Sequence, residues 1–195
     1  MHNDFYQSAV ITTASTTPVV SLVEARRHLR NEELTVDDDY VEALVGAATS
    51  YVEKQYGLAL LNKTVEAYYS KFPGNDVAIF APIIPLSAVE TIEYLDDNGD
   101  YVEVDSDTYR TGHINGWGAI VIKPNNSWPS VTEQLNAVKI TYTAGFGTTS
   151  DKVPSEIRHA ILLLMADMYV NREDNVRNLP QASTRLLLPW FRHTL

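Results

Sequence analysis

Hydrophobic and polar positions change their period twice along this chain. Around Ser21 the spacing is helical: Leu22, Ala25 and Leu29 share a face, and Ser21 with Glu24 three residues later forms a capping box, which predicts a helix over 22–30. A second helix is predicted over 38–56. There Val41, Leu44, Val45, Ala48 and Val52 repeat until Gly57, and Asp37, Asp38 and Asp39 stand at the start, where the helix macrodipole favours negative charge. The plain reading of that triplet is a cap and first turn. From Asn62 to Thr143 the period shortens to two, with runs broken by Gly, Pro, Asn and Asp, and strands are expected over 63–71, 77–80, 89–95, 101–104, 109–111, 119–123 and 137–143. Asp96-Asp97-Asn98-Gly99 is the clearest hairpin turn, because Asn-Gly accepts positive φ angles. Pro82 and Pro85 bracket Ile83-Ile84, which therefore reads as an extended edge segment. Helical spacing returns after Ala144-Gly145-Phe146-Gly147. Pro154 and Glu156 open a helix over 154–172 with Ile157, Ala160, Ile161, Leu164, Met165, Met168 and Tyr169 on its apolar face. A last short helix is expected over 183–188, before Pro189-Trp190-Phe191.

The pattern predicts an α+β fold. N-terminal helices and a long C-terminal helix (20–61 and 150–177) form a helical core, and an antiparallel β domain is inserted at 62–149. A flexible Thr/Ser-rich arm is expected over 1–19 and a separate tail over 178–195.

Composition narrows the function. The 195 residues contain no cysteine, with 15 Lys and Arg against 25 Asp and Glu, a net charge of −10. A disulfide framework and a thiolate zinc site are thereby excluded, and a binder that works by neutralising nucleic-acid phosphates is disfavoured. With 45% hydrophobic and 21% charged residues the chain reads as globular. No apolar run approaches the roughly 20 residues of a membrane-spanning helix, and the start lacks the basic and apolar regions of a signal peptide, so a soluble protein in a reducing cytoplasm is expected.

No residue pattern announces catalysis. His2, His28, His113, His159 and His193 are scattered without metal-ligand spacing, and surface or structural roles are expected for them. Asp96, Asn98, Asp100 and Asp107 superficially match a calcium loop, but Tyr101 occupies the position that needs glycine. Gly112, Gly116 and Gly118 fall between strands, away from any helix N-terminus that would hold a phosphate. No Gly-x-Ser-x-Gly elbow is present. Glu90 with Glu93 reads as a solvated strand face rather than a glycosidase pair. Tyr68, Tyr69, Tyr94, Tyr101, Tyr109, Trp117, Trp128 and Tyr142 are read as core or subunit interface before a stacking platform. Arg26, Arg27 and Arg30, and separately Arg172, Arg177, Arg185 and Arg192, cluster near the two ends, where they would suit an acidic partner.

A longer-range order of motifs adds to this. It runs from Val20-Ser21-Leu22-Val23-Glu24-Ala25 to His28-Leu29-Arg30, then Tyr51-Val52-Glu53 to Tyr56-Gly57-Leu58-Ala59-Leu60, and on through Pro82 to Leu86 and Val89 to Asp96. Asp107-Thr108-Tyr109-Arg110, Trp128-Pro129, Val138 to Gly147, Val153-Pro154 to Ile157, Ala160 to Met165 and Tyr169 to Glu173 complete it. From about Val20 to the C-terminus the chain resembles the tailed-phage head-tail connector (adaptor, or head-completion) proteins.

The resemblance implies a structural virion protein without catalysis, cofactor or metal, present in a bacteriophage or prophage particle. It implies a helical connector core, and a ring of identical copies, dodecameric in the better-known relatives, beneath the portal protein at the DNA exit. Such a ring carries a downstream stopper or tail-completion protein, and packaged DNA passes through it without specific binding. The expected place is the head-tail junction of the virion, reached from the host cytoplasm during assembly, with no membrane contact. Carried onto this chain, the tail becomes the portal-docking segment, with Arg185, Leu186, Leu187, Leu188, Trp190 and Phe191 as candidate interface residues. Clustered large apolar residues with Arg resemble interface anchors. The same residues would equally fold the tail back onto its own core. Another tail-completion or baseplate component, or a carbohydrate-binding or carbohydrate-active module using Trp117 and Trp128, are the rival readings.

Overall fold

In the computed structural model, which describes residues 5–30, 36–172 and 181–190, the chain forms two units. One is a β unit drawn from 1–15 and 62–146; the other is helical, drawn from 16–61 and 147–193.

Two antiparallel sheets make the β unit. The first has the order β1 (Tyr6–Thr13), β2 (Lys63–Tyr69), β8 (Val138–Ala144), β4 (Leu86–Leu95) and β5 (Tyr101–Glu103). The second has the order β3 (Ile79–Phe80), β7 (Trp117–Ile122) and β6 (Tyr109–Ile114). Register explains the core. Val65, Ala67 and Tyr69 of β2 oppose Tyr142, Ile140 and Val138 of β8, and Ile92 of β4 opposes Ile140 from the other side. Because side chains alternate across a strand, these apolar groups all fall on one face and are buried, while Glu66, Tyr68, Lys139 and Thr141 take the other.

Turn chemistry closes the hairpins. The Asp96 backbone N–H donates to Asp100, Gly99 N–H donates to Asp96, and the Asp96 carboxylate accepts from the Asn98 and Asp100 backbones. Of the Asn98-Gly99 pair only Gly99 has positive φ, at 86°, which fits a turn ending in a left-handed residue rather than the two-residue mirror turn. That mirror turn occurs instead at Asn115-Gly116, with φ 51° and 78°, between β6 and β7. Ile83-Ile84 is held by Tyr142, whose hydroxyl accepts from the Ile83 N–H and donates to the Ile83 carbonyl, and Ile84 is buried. The Ile84-Pro85 peptide bond is cis.

The helical unit contains α1 (Leu22–Leu29), α2 (Asp38–Tyr56), α3 (Ser155–Val170) and α4 (Gln181–Leu187). The Ser21–Glu24 capping box is formed in both directions, and α1 stops at Arg30, which takes a left-handed conformation behind Arg26, Arg27 and His28. Cations at that end complement the helix dipole. Gly57 ends α2 with φ 62°, its N–H donating to the Glu53 carbonyl. Val41, Val45, Ala48 and Val52 of α2 and Ile157, Ala160, Ile161, Leu164 and Met165 of α3 are buried at i, i+3 and i+4 spacing, where the two helices pack together. Arg26 pairs with Asp38 and Arg158 with Glu24, tying α1 to both neighbours.

Three expectations change here. The arm is not loose over 6–13: those residues form β1, antiparallel to β2, and Tyr6 meets Tyr69 edge-on at 5.8 Å. The physical reason is the β-branched run Val10 to Thr13, which favours strand and found a free partner edge. Val19, at the end of the same arm, is buried, as is Val20 beside it. The Asp37 side chain makes no capping hydrogen bond to α2, being engaged elsewhere, and α3 ends at Val170 rather than 172.

Candidate docking surface

The candidate residues are divided by α4 itself. Ser183 and Leu187, one turn apart, are buried, and α4 packs on α3 through that side. Leu187, at 1% exposure, packs into the helical core of the chain by itself, as the alternative reading of a tail folded back on its own core expects of it. Arg185 and Leu188 point outward, Leu188 at 56% exposure, and Leu186 and Trp190 are half-buried. Leu188–Trp190 forms a 3-10 turn that continues α4. Phe191, along with Arg177 and Arg192, lies outside the described residues. Leu186 and Leu188 thus flank the inward-facing Leu187 on opposite sides of α4, Arg185 is exposed on its outer side, and Trp190 follows in the 3-10 turn.

A second cluster lies where α2 begins and α3 ends. The Asp37 carboxylate accepts from the Tyr169 hydroxyl at 2.7 Å and pairs with Arg172 at 3.2 Å. The Arg172 guanidinium sits over the rings of Tyr40 and Tyr169, at 4.7 and 5.1 Å. The Tyr169 hydrogen bond, aided by Arg172, holds the Asp37 carboxyl below the usual carboxylate range. The charge at the start of α2 thus serves a partner 132 residues away in sequence. Tyr169→Phe is expected to bring the Asp37 carboxyl back up toward its ordinary value, as read by an NMR titration of its side chain; an unmoved titration contradicts the contact.

His28 and His159 meet edge-on with centroids 5.8 Å apart. Burial first, and the neighbouring His159 charge second, push the His28 imidazole below its ordinary value. Protonation therefore favours the unfolded chain. This contribution to stability is complete above the unfolded value near pH ~6.5 and is lost as pH falls through it toward the lower folded value. The thermal midpoint is expected to drop between about pH 7 and pH 5, and His28→Gln to flatten that part of the profile. An equal slope in the variant would show that His28 does not titrate this way.

The remaining candidate chemistry resolves into structure. No group of three metal-ligating side chains occurs among the described residues. Asp96 spends its carboxylate on its own turn, and Glu93 pairs with Lys139 at 2.8 Å while Glu90 accepts from the Thr143 hydroxyl. The Glu66 carboxylate accepts from Tyr68, pushing that phenol up to about 12. Trp128 stacks on Phe72 at 4.8 Å and is buried with Tyr69, Tyr109 and Tyr142, whereas Tyr101 is exposed and Trp117 half-buried. Burial by aromatic neighbours removes Trp128 from any sugar-stacking platform. In the helical unit a shallow depression of about 450 Å³ is lined by Glu24, Ser155, Glu156, Arg158, His159 and Leu162. There burial alone would raise the Glu24 carboxyl, but hydrogen bonds from Ser21, with Arg158 and Arg27 nearby, hold it below the usual range. Paired in this way, Glu24 serves as a cap and ion-pair partner.

No protein-family model matches the chain, and no curated protein matches it in sequence. Solved structures do share its fold. A chain in the virion of a native gene transfer agent (GTA) particle superposes with a TM-score of 0.81 at 22% identity, covering 97% of each chain. Chains in the neck of an empty GTA particle computed with C6 symmetry, and in the neck of a native GTA particle computed with C12 symmetry, each give a TM-score of 0.80 at the same identity and coverage. Both units of this chain are thus similar in fold, over nearly their whole length, to chains of those particles.

Proposed function

We propose that this chain is a structural neck component of a phage-like particle, acting as a ring adaptor that joins the portal to the tail around the DNA exit channel. The observation that carries the reading is the shared fold over 97% of both chains with chains of GTA neck structures computed with C6 and C12 symmetry. The connector motifs of the sequence lead to the same place. On this reading about twelve copies form the ring, the portal protein and a stopper or tail-completion protein are its partners, and its location is the virion. A net charge of −10 suits a channel through which DNA slides, because like charge opposes tight phosphate binding.

The proposed portal contact is made by Arg185, Leu186, Leu188 and Trp190, exposed or half-buried in the last turns, together with Phe191, which follows them in sequence. Co-purification of the tagged full chain with portal protein tests the assignment. Leu188→Asp is expected to reduce recovered portal at least tenfold while leaving the melting temperature within about 2 °C, since surface substitutions cost about 0.5 kcal/mol or less. Undiminished portal recovery would remove Leu188 from the contact. Recovery of tail-tube protein in place of portal would move the chain to the tail-completion or baseplate reading.

A further inference from the structure

The first sheet has two unlike open edges, and one of them lacks the usual protection. Among the described strands β1 pairs with β2 alone, leaving its outer row of backbone N–H and C=O groups without a strand. Open edges are normally blunted by charge, proline or shortness. Residues Tyr6–Thr13 contain no charged residue and no proline, extend over eight residues, and expose Tyr6, Val10 and Ile11 at 39, 50 and 45%. The two register shifts fall toward the ends, so Ser8 to Ile11 is regular. The strand is also fixed in place: the Gln7 side chain accepts from the Asn136 N–H and Ser70 N–H donates to the Phe5 carbonyl.

We propose that the outer edge of β1 receives the β5 edge of a second copy of this chain, so that the five-stranded sheet continues from copy to copy around the ring. The inference rests on the neck-ring reading and supplies its subunit contact. A ring needs a heterologous contact between two different patches of the same chain, and β1 and β5 are different edges of one sheet. A β1–β1 contact would be isologous and would stop at a dimer. Neighbouring strands in the order β1-β2-β8-β4-β5 are all antiparallel, so β1 and β5 run the same way. Cyclic symmetry preserves that direction and makes the new pair parallel. Tyr101, Val102 and Glu103 of β5 are exposed, and Asp100 and Glu103 meet no like charge on the uncharged β1.

The absence of cysteine makes the test clean. Ser8 opposes Tyr68 and Glu103 opposes Glu93, so both lie on the polar face of the sheet. Full-length S8C, E103C and the double variant are supplied to particles lacking the native chain and treated with a short bis-maleimide. The double variant is expected to give a ladder of covalent multimers and each single variant monomers only. A second measurement uses Val10→Lys, expected to lower incorporation into particles at least tenfold at an unchanged melting temperature. Covalent dimers from S8C alone, or monomers alone from a double variant that is present in particles, would overturn the β1–β5 contact while leaving the neck reading standing. Normal incorporation of Val10→Lys would overturn it as well. Absence of the native chain from wild-type particles would instead overturn the neck reading, and the contact with it.

Discussion

Leu164→Asp is expected to unfold the helical unit near room temperature. Leu164 is 2% exposed on the face of α3 that carries Ile157, Ala160 and Ile161, an apolar setting for a new carboxylate. An unpaired buried charge, added to the lost packing, costs about 5 kcal/mol, comparable with the whole stability of a small domain. Val170→Asp on the same helix is the control, because Val170 is 77% exposed and a charge there should change stability by about 0.5 kcal/mol or less. Circular dichroism melts of the two variants decide the matter. Equal melting temperatures would mean that the buried face of α3 has been misassigned.

The β unit has its own point of intolerance at Gly118 on β7. A Cβ built there would lie 2.1 Å from the Leu86 Cβ, well inside van der Waals contact, so the two strands approach as closely as they do only because glycine occupies this position. Gly118→Ala is expected to cost about 3 kcal/mol through forced displacement of β4 or β7. The clash is with the first side-chain carbon of Leu86, so trimming to alanine does not relieve it. Leu86→Ala combined with Gly118→Ala should therefore be less stable than either single variant, whereas Leu86→Gly should show a favourable coupling with Gly118→Ala in a double-mutant cycle. A Gly118→Ala chain as stable as the native one in urea would contradict this packing.

Local rules made much of the fold legible. The Ser21–Glu24 box, the αL stop at Gly57 and the apolar spacing of α2 and α3 each depend on residues a turn or two apart, and the expected helix boundaries at 38 and 56 match α2. Strand alternation was equally readable in β2 and β8, where one face is buried and the other wet. It failed for β1, an edge strand exposed on both faces, which has no buried side to impose a period; the β-branched run at Val10 to Thr13 was the signal available. Asp37 was read correctly as sitting at a helix start, but its partners, Tyr169 and Arg172, lie at the far end of the sequence, and no spacing rule reaches them. Leu186, Leu187 and Leu188 form a run with no polar punctuation. A seven-residue helix is too short for periodicity to show which of them turns inward, and only the packing of α4 on α3 selects Leu187.

The proposed function was suggested only by resemblance, because no catalytic constellation could be read from the residues. An acidic, cysteine-free α+β chain fits many roles, and the order of short motifs was the one signal that pointed to a connector. The comparison with chains of GTA neck structures adds a shared fold over 97% of each chain, at 22% identity.

Electron microscopy of particles made without this chain, beside a complemented control, tests the central claim most directly. The neck reading expects DNA-filled heads and finished tails that remain separate and join only on complementation. Intact, infectious particles formed without the chain would contradict it.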